Sequence, residues 1–207
     1  MDLRQSCRQQ EPSWHNAPVE SFGDITARIL IVGLAPGLRG ANRTGRPFTG
    51  DSAGLYLFTM LRRFGLASGN YREDGDDDIR LADVRITNAV RCLPPANKPV
   101  AAEINACRPF LAAEIAAMPN LDIILTLGRL AHDATLRGIG WRPASVPFGH
   151  AKDLAIDLQG RVIRIISSYH CSRYNTQTGR LTDEMFAEIF RMIAGRMITG
   201  PETSVAS

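Results

Sequence analysis

The stretch ARILIVGLAPG, Ala27 to Gly37, decides how the rest of the chain is read. Its first nine residues form an apolar run of Ile, Leu and Val with no strict polar alternation, and a loop bearing Gly and Pro follows at once. Missing alternation marks a strand covered on both faces. Three more runs share the pattern: VRITNAV (84–90), LDIILTLG (121–128) and RVIRIISSY (161–169). Helical patterns fall between them, at SAGLYLFTMLRRFGL (52–66), AEINACRPFLAAEIAAM (102–118) and GRLAHDATLRGI (128–139). A last amphipathic stretch, TDEMFAEIFRMIAGRM (182–197), opens with Thr182 as its N-cap. Strands alternating with helices predict an α/β fold: a parallel sheet, helices on both sides, right-handed crossovers. Ligands of such sheets bind at the carboxyl ends of the strands.

Composition bounds the possibilities. The chain has 207 residues, 44% of them hydrophobic, which suffices for one sizeable core. No apolar run reaches the roughly 18 residues of a membrane span, and MDLRQSCRQQEPSW lacks the pattern of a signal peptide. A soluble, cytoplasmic protein is expected, monomeric and without membrane partners, with residues 1–199 as one domain and 200–207 as a disordered tail. Four cysteines, at 7, 92, 107 and 171, are too scattered for a disulfide framework and read as free thiols. Cys92 and Cys107 frame RCLPPANKPVAAEINAC, but two thiolates alone do not complete a zinc or iron–sulfur site.

The net charge is only +3, yet its distribution is uneven. Residues 38–50, 88–102 and 158–181 hold nine of the 24 basic residues (Arg39, Arg43, Arg46, Arg91, Lys98, Arg161, Arg164, Arg173, Arg180) and none of the 21 acidic ones. A polyanion bound on one face is the partner this predicts. The acidic run Glu73 to Asp78 reads as a solvated loop.

The unusual residues follow the strands: GLAPGLRGANRTGRPFTGDSAG (33–54) after the first, the Pro-rich stretch after the second, YHCSRYNTQTGR (169–180) after the fourth. GLAPG has neither the Lys-Ser/Thr of a P-loop nor the spacing of a dinucleotide fingerprint, so those functions are set aside. The three motifs, GLAPG with NRTGRPFTGD, TNAVRCLPPANKP and YHCSRYNTQTGRLT, resemble the uracil-DNA glycosylase superfamily, most closely family 5, from about Phe22 to about Ile193.

That resemblance implies a three-layer α/β/α sandwich with a central four-stranded parallel sheet, and hydrolysis of the N-glycosidic bond of a deaminated base flipped out of DNA. Such chemistry needs a stabilised oxocarbenium-like sugar, a placed water and a home for charge on the leaving base. The motifs assign Asp51 to the water and the sugar, Asn97 to water or substrate, and His170 to the base carbonyl. Each has an ordinary reading too: a helix N-cap, a turn residue, a satisfied strand-end histidine. Phe48 matches the aromatic under the flipped base, and Gly33, Leu34 and Ala35 the loop around it. Asn88 can pair with O4 and N3–H of uracil. Many family 5 members lack that side chain whereas family 4 has it, so a narrower uracil preference is expected; a broad action on hypoxanthine or xanthine, or a module that grips such DNA without turnover, are the alternatives.

Where families 1 and 4 carry an acidic residue in the first motif, Gly33 to Gly37 has none, a feature family 5 shares. After His170 the resemblance places a minor-groove wedge at Arg173 or Tyr174, with Ser172 on backbone phosphate; Arg43, Lys98 and Arg180 complete the expected DNA contacts. His15, His132 and His150 have no comparable role. Family 4 and 5 members usually hold a [4Fe–4S] cluster by a close N-terminal cysteine pair plus two cysteines matching Cys92 and Cys107. Here Cys7 stands alone, with Gln10 three residues on, and Cys171 belongs to the site beside His170. A cluster-free protein without any cofactor is expected, its N-terminal segment held by packing of Trp14 and Phe22.

Overall fold

A computed structural model describes residues 3–199; the tail read as disordered lies outside the described residues. The strands are β1 (Ile29–Gly33), β2 (Ala67–Ser68), β3 (Arg80–Leu81), β4 (Val84–Asn88), β5 (Ile123–Leu127), β6 (Lys152–Leu158) and β7 (Arg161–Ser168). The helices are α1 (Leu3–Gln10), α2 (Ala41–Thr44), α3 (Ser52–Arg63), α4 (Ala101–Ala117), α5 (Arg129–Gly138), α6 (Arg173–Gln177) and α7 (Asp183–Thr199). Five strands form the central sheet in the order β4-β1-β5-β7-β6, and β2 pairs with β3 in a small hairpin apart from it.

The four expected strands are all present and mutually parallel, with β1 between β4 and β5, and β7 beyond β5. The sheet nonetheless has five strands rather than four, because β6 adds an antiparallel edge to β7. The pair turns at Gln159 and Gly160, both at positive φ (56° and 83°), as a tight two-residue hairpin requires. KDLAIDL carries Lys152, Asp153 and Asp157, so its apolar signal is weak. Asp153 is nevertheless largely buried, because Arg164 (2.6 Å) and Arg196 (3.1 Å) both pair with it.

Both faces of the sheet are covered, as the unbroken apolar runs require. Ile29 and Ile31 join Leu57, Phe58, Leu61, Phe186 and Phe190 of α3 and α7 in one core; Leu30 and Val32 join Leu111, Ile115 and Leu136 of α4 and α5 in the other. Each fully buried side chain of this size contributes about 1.5–3 kcal/mol of hydrophobic stabilisation. The four longer helices stand where the sequence predicts them, and the Thr182 hydroxyl accepts from the Met185 N–H (3.2 Å) as the α7 cap.

Packing fastens part of the N-terminal segment: Phe22 bridges to Ile86 and packs near Phe58, Cys7 and Val19 are buried, and Trp14 is half-buried at the edge of a cavity. Hydrogen bonds add to this: buried Asn16 donates to the Glu11 carbonyl (2.8 Å), accepts from Asn42 Nδ2 (2.9 Å) and, through its carbonyl, from Arg8 Nε (3.1 Å). The Val19 N–H donates to Arg91 O (2.7 Å).

The acidic run is solvated at Glu73, Asp74, Asp76 and Asp78, with one exception. Asp77 is 1% exposed in its side chain and accepts two 2.6 Å hydrogen bonds from Arg46, which hold its carboxyl down at about 2. Among the described residues, no helix is long and apolar enough to cross a membrane.

Candidate active site

Parallel strands of one direction deliver their following loops to one edge, and here three loops meet there. β1 and β4 run side by side with Gly33 opposite Asn88, so the first loop and the Pro-rich loop begin as neighbours. β7 ends at Ser168 and delivers His170. Together with the start of α3 they enclose a pocket of about 400 Å³ lined by Leu34, Ala35, Phe48, Asp51, Asn88, Asn97, His170 and Ser172, with Pro36, Gly37, Ala41 and Ala53 completing the wall. Gly33 lies behind that wall: a Cβ there would collide with Asn88 Oδ1 and the Phe48 ring, so glycine is what lets both side chains turn inward.

Asp51 is the N-cap of α3. Its Oδ1 accepts from the Gly54 N–H (3.0 Å), which satisfies an otherwise orphaned helix donor. Oδ2 remains for another partner in the pocket. Asn97 sits in a short 3-10 turn, Pro95–Asn97, at φ 57°, and its Oδ1 accepts from the Leu38 N–H (3.0 Å). This bond ties the Pro-rich loop to the first loop and leaves the amide NH2 to donate. Both ordinary readings therefore hold, and both residues also face the pocket.

Two side chains enter the pocket without a partner. Asn88 is 6% exposed, yet its carboxamide makes no hydrogen bond to a described residue, and the His170 imidazole makes none either. Burial pushes the His170 pKa below its ordinary value, against a weaker opposing pull from Asp51, so the ring is neutral near pH 7. Phe48 is buried, with its ring 6.1 Å from that of His170 at 26°. The loop carrying His170 is set by Asn175, whose Nδ2 donates to the His170 carbonyl (2.8 Å), a role the sequence reading missed because Asn in a polar loop carries no signal.

The other histidines are structural. His132 is buried between Thr126 Oγ1 (3.1 Å) and the Val146 carbonyl (2.7 Å), and His15 reaches only the Pro18 carbonyl. His150 faces the Met185 carbonyl through Nε2 (3.2 Å) and accepts from the Tyr169 N–H at Nδ1 (3.2 Å), which fixes its tautomer and steadies the residue before His170.

The expected DNA contacts divide. Tyr174 is 71% exposed and Arg173 is exposed beside it, on α6; Lys98 is exposed on the Pro-rich loop. Ser172 caps α6, accepting from the Asn175 N–H (3.4 Å). The Arg180 guanidinium lies 5.1 Å from the Tyr169 ring centre, and Arg43 donates to the carbonyls of Arg39 (3.0 Å) and Glu73 (2.9 Å).

Across Asn97 lies a larger cavity of about 770 Å³, bordered by Cys7, Gln10 and Trp14 of the N-terminal segment and by Leu38, Arg39 and Arg43. Cys92 and Cys107 line an adjoining hollow, which shares Leu3 and Leu93 with this cavity. Cys171 is buried at the active site, its Sγ 3.5 Å from the Ala53 carbonyl, and burial pushes its thiol far up. Among the described residues no three His, Cys, Asp or Glu side chains gather as a group that could hold a metal ion.

The chain matches the uracil DNA glycosylase superfamily over residues 20–194. It is 48% identical over 179 residues to a type-5 uracil-DNA glycosylase of Thermus thermophilus, covering 86% of this chain and 80% of that one. Against the type-5 enzyme of Pyrobaculum aerophilum the identity is 39% over 187 residues, 90% and 80% of the two chains. A type-4 uracil-DNA glycosylase of Saccharolobus solfataricus is 29% identical over 184 residues, 87% of this chain and 78% of that one.

Proposed function

The chain belongs to the uracil DNA glycosylase superfamily, and from that premise we propose that it hydrolyses the N-glycosidic bond of uracil in DNA, leaving an abasic site for repair. One observation carries the reading to the residues: Asn88 and His170 enter a single pocket with unpartnered polar groups, opposite a carboxylate with one oxygen free.

The flipped uracil lies against Phe48. Asn88 offers a donor and an acceptor to O4 and N3–H. As the glycosidic bond lengthens, negative charge gathers on the base, and the neutral His170 N–H donates to the carbonyl that receives it. One such preorganised donor is worth about 10²–10³ in rate. Asp51 Oδ2 orients the attacking water and offsets positive charge on the sugar, and the free amide of Asn97 holds that water from the other side. Arg173 or Tyr174 enters the gap left by the extruded base, while Lys98, Arg43, Ser172 and Arg180 meet the phosphates.

A single-turnover assay at stoichiometric protein tests this: abasic sites are expected from uracil DNA, and their absence would leave only a binding module. Asn88→Ala is expected to narrow the preference for uracil over hypoxanthine by about tenfold, since a bidentate pair discriminates by about 1–3 kcal/mol. An unchanged ratio would return the broad-specificity alternative.

The protein is further read as working without an iron–sulfur cluster. Gln10, standing one helical turn after Cys7 where a second N-terminal cysteine would be needed, supports this. Colourless purified protein without iron is the expected result, and a band near roughly 400 nm would reverse it.

A further inference from the structure

The wall that carries Phe48 is an unusual piece of backbone. Phe48 has φ 52° and Gly50 φ 100°, so the chain passes through the left-handed region twice within three residues, the first time at an aromatic residue that disfavours it. Something must hold this loop, because an unrestrained Phe would relax to negative φ and carry its ring away from the base.

Tyr71 is placed to do so. Its hydroxyl donates to the Phe48 carbonyl (3.3 Å) and accepts from the Gly50 N–H (3.3 Å), closing a bracket around Thr49. Burial pushes the hydroxyl up to about 12, so it remains a donor at any working pH. The Tyr71 ring stacks on Phe58 (4.7 Å, 22°). Behind it, the Arg46 guanidinium sits 5.1–5.8 Å from the ring centres of Phe22, Phe58 and Tyr71 while bonding Asp77 with two nitrogens and Thr49 Oγ1 (2.8 Å) through Nε. Every residue from Arg46 to Gly50 except Pro47 is thus reached by this assembly through a side chain or backbone atom. The helix side is equally tight: a Cβ on Gly54 would strike the Phe48 carbonyl and approach Tyr71 Oη at 2.7 Å.

We propose that Tyr71 is a positioning residue for uracil: with the Arg46–Asp77 pair behind it, its hydroxyl locks the Phe48–Gly50 backbone so that the Phe48 ring is preformed as the floor for the flipped base. The proposal rests on the glycosylase reading above. Tyr71 touches no substrate and acts only through Phe48 and, next along the chain, Asp51.

Tyr71→Phe removes the bracket and keeps the ring, so the melting temperature should stay within a few degrees of the native protein. The expected result is a loss specific to the base: the inhibition constant of free uracil rises about tenfold and the single-turnover rate on uracil DNA falls by a similar factor, the scale of one lost buried hydrogen bond. Affinity for DNA with an abasic-site analogue, which offers no base to the pocket, stays within about twofold. Gly54→Ala drives a Cβ into the same carbonyl and forces that backbone to shift, so it should weaken uracil inhibition too, with a lower melting temperature than Tyr71→Phe. Unchanged uracil inhibition in both variants overturns the proposal. So does an equal loss of abasic-DNA affinity, which would mark a merely structural tyrosine. If the native protein releases no uracil while free uracil still binds and the variants weaken it, the glycosylase reading fails and the floor assignment survives.

Discussion

At the scale of the residue, the proposed mechanism gives Asp51 two jobs on two oxygens. Oδ1 caps α3 through the Gly54 N–H, and Oδ2 faces the pocket. Asparagine caps a helix about as well as aspartate but bears no charge and cannot act on water or sugar in the same way. Asp51→Asn therefore separates the jobs: thermal stability should move by less than about 1 kcal/mol, while the single-turnover rate on uracil DNA should fall by about 10²-fold or more. A variant that loses stability and activity in proportion would make the cap the whole role. His170 was legible from its place at a strand end in a specific motif. Its consequence, a ring kept neutral by burial, came only from the packing around it.

Elements were legible where their burial was uniform. Alternate residues of β1 feed opposite cores, Ile29 and Ile31 on one side, Leu30 and Val32 on the other, so the sequence there is apolar without a break and its reading as a two-faced strand is forced. β6 escaped because the buried charge of Asp153 is satisfied by Arg164 and Arg196, partners 11 and 43 residues away, which no local pattern reveals. The same blindness hid the Arg46–Asp77 pair, spanning 31 residues, and turned a structural acid into a supposed solvated one. Short elements failed for another reason. α2 has four residues and α6 five, too few for a hydrophobic period to show. The segment before β1 gave no sign that a buried Asn16, at φ 46°, would be the knot tying it to α2.

Across the whole molecule, the charge pattern pointed to a polyanion such as DNA, and the structure shows that several of the cations behind it are engaged within the fold. Of the nine cations in the acid-free segments, Arg46 pairs with Asp77 and Arg91 with Glu114; Arg164 pairs with Asp153, and Arg161 donates to the Met118 and Leu121 carbonyls. These four hold the fold together. Arg39, Lys98 and Arg173 are exposed and make no ion pair with a described residue, while Arg43 and Arg180 keep their charge but lean on carbonyls and a tyrosine ring. Between three and five cations are then available to phosphate. Each neutralised phosphate contributes about −0.9 to the slope of log affinity against log salt on duplex DNA, so a slope of about −3 to −4.5 is expected, against about −8 if all nine took part. Equilibrium binding to abasic-analogue duplex at several salt concentrations measures it. Lys98→Ala should flatten the slope by about 1 with no change in uracil preference, because a phosphate contact carries no base information. A native slope near −8 would show that the paired arginines leave their partners when DNA binds.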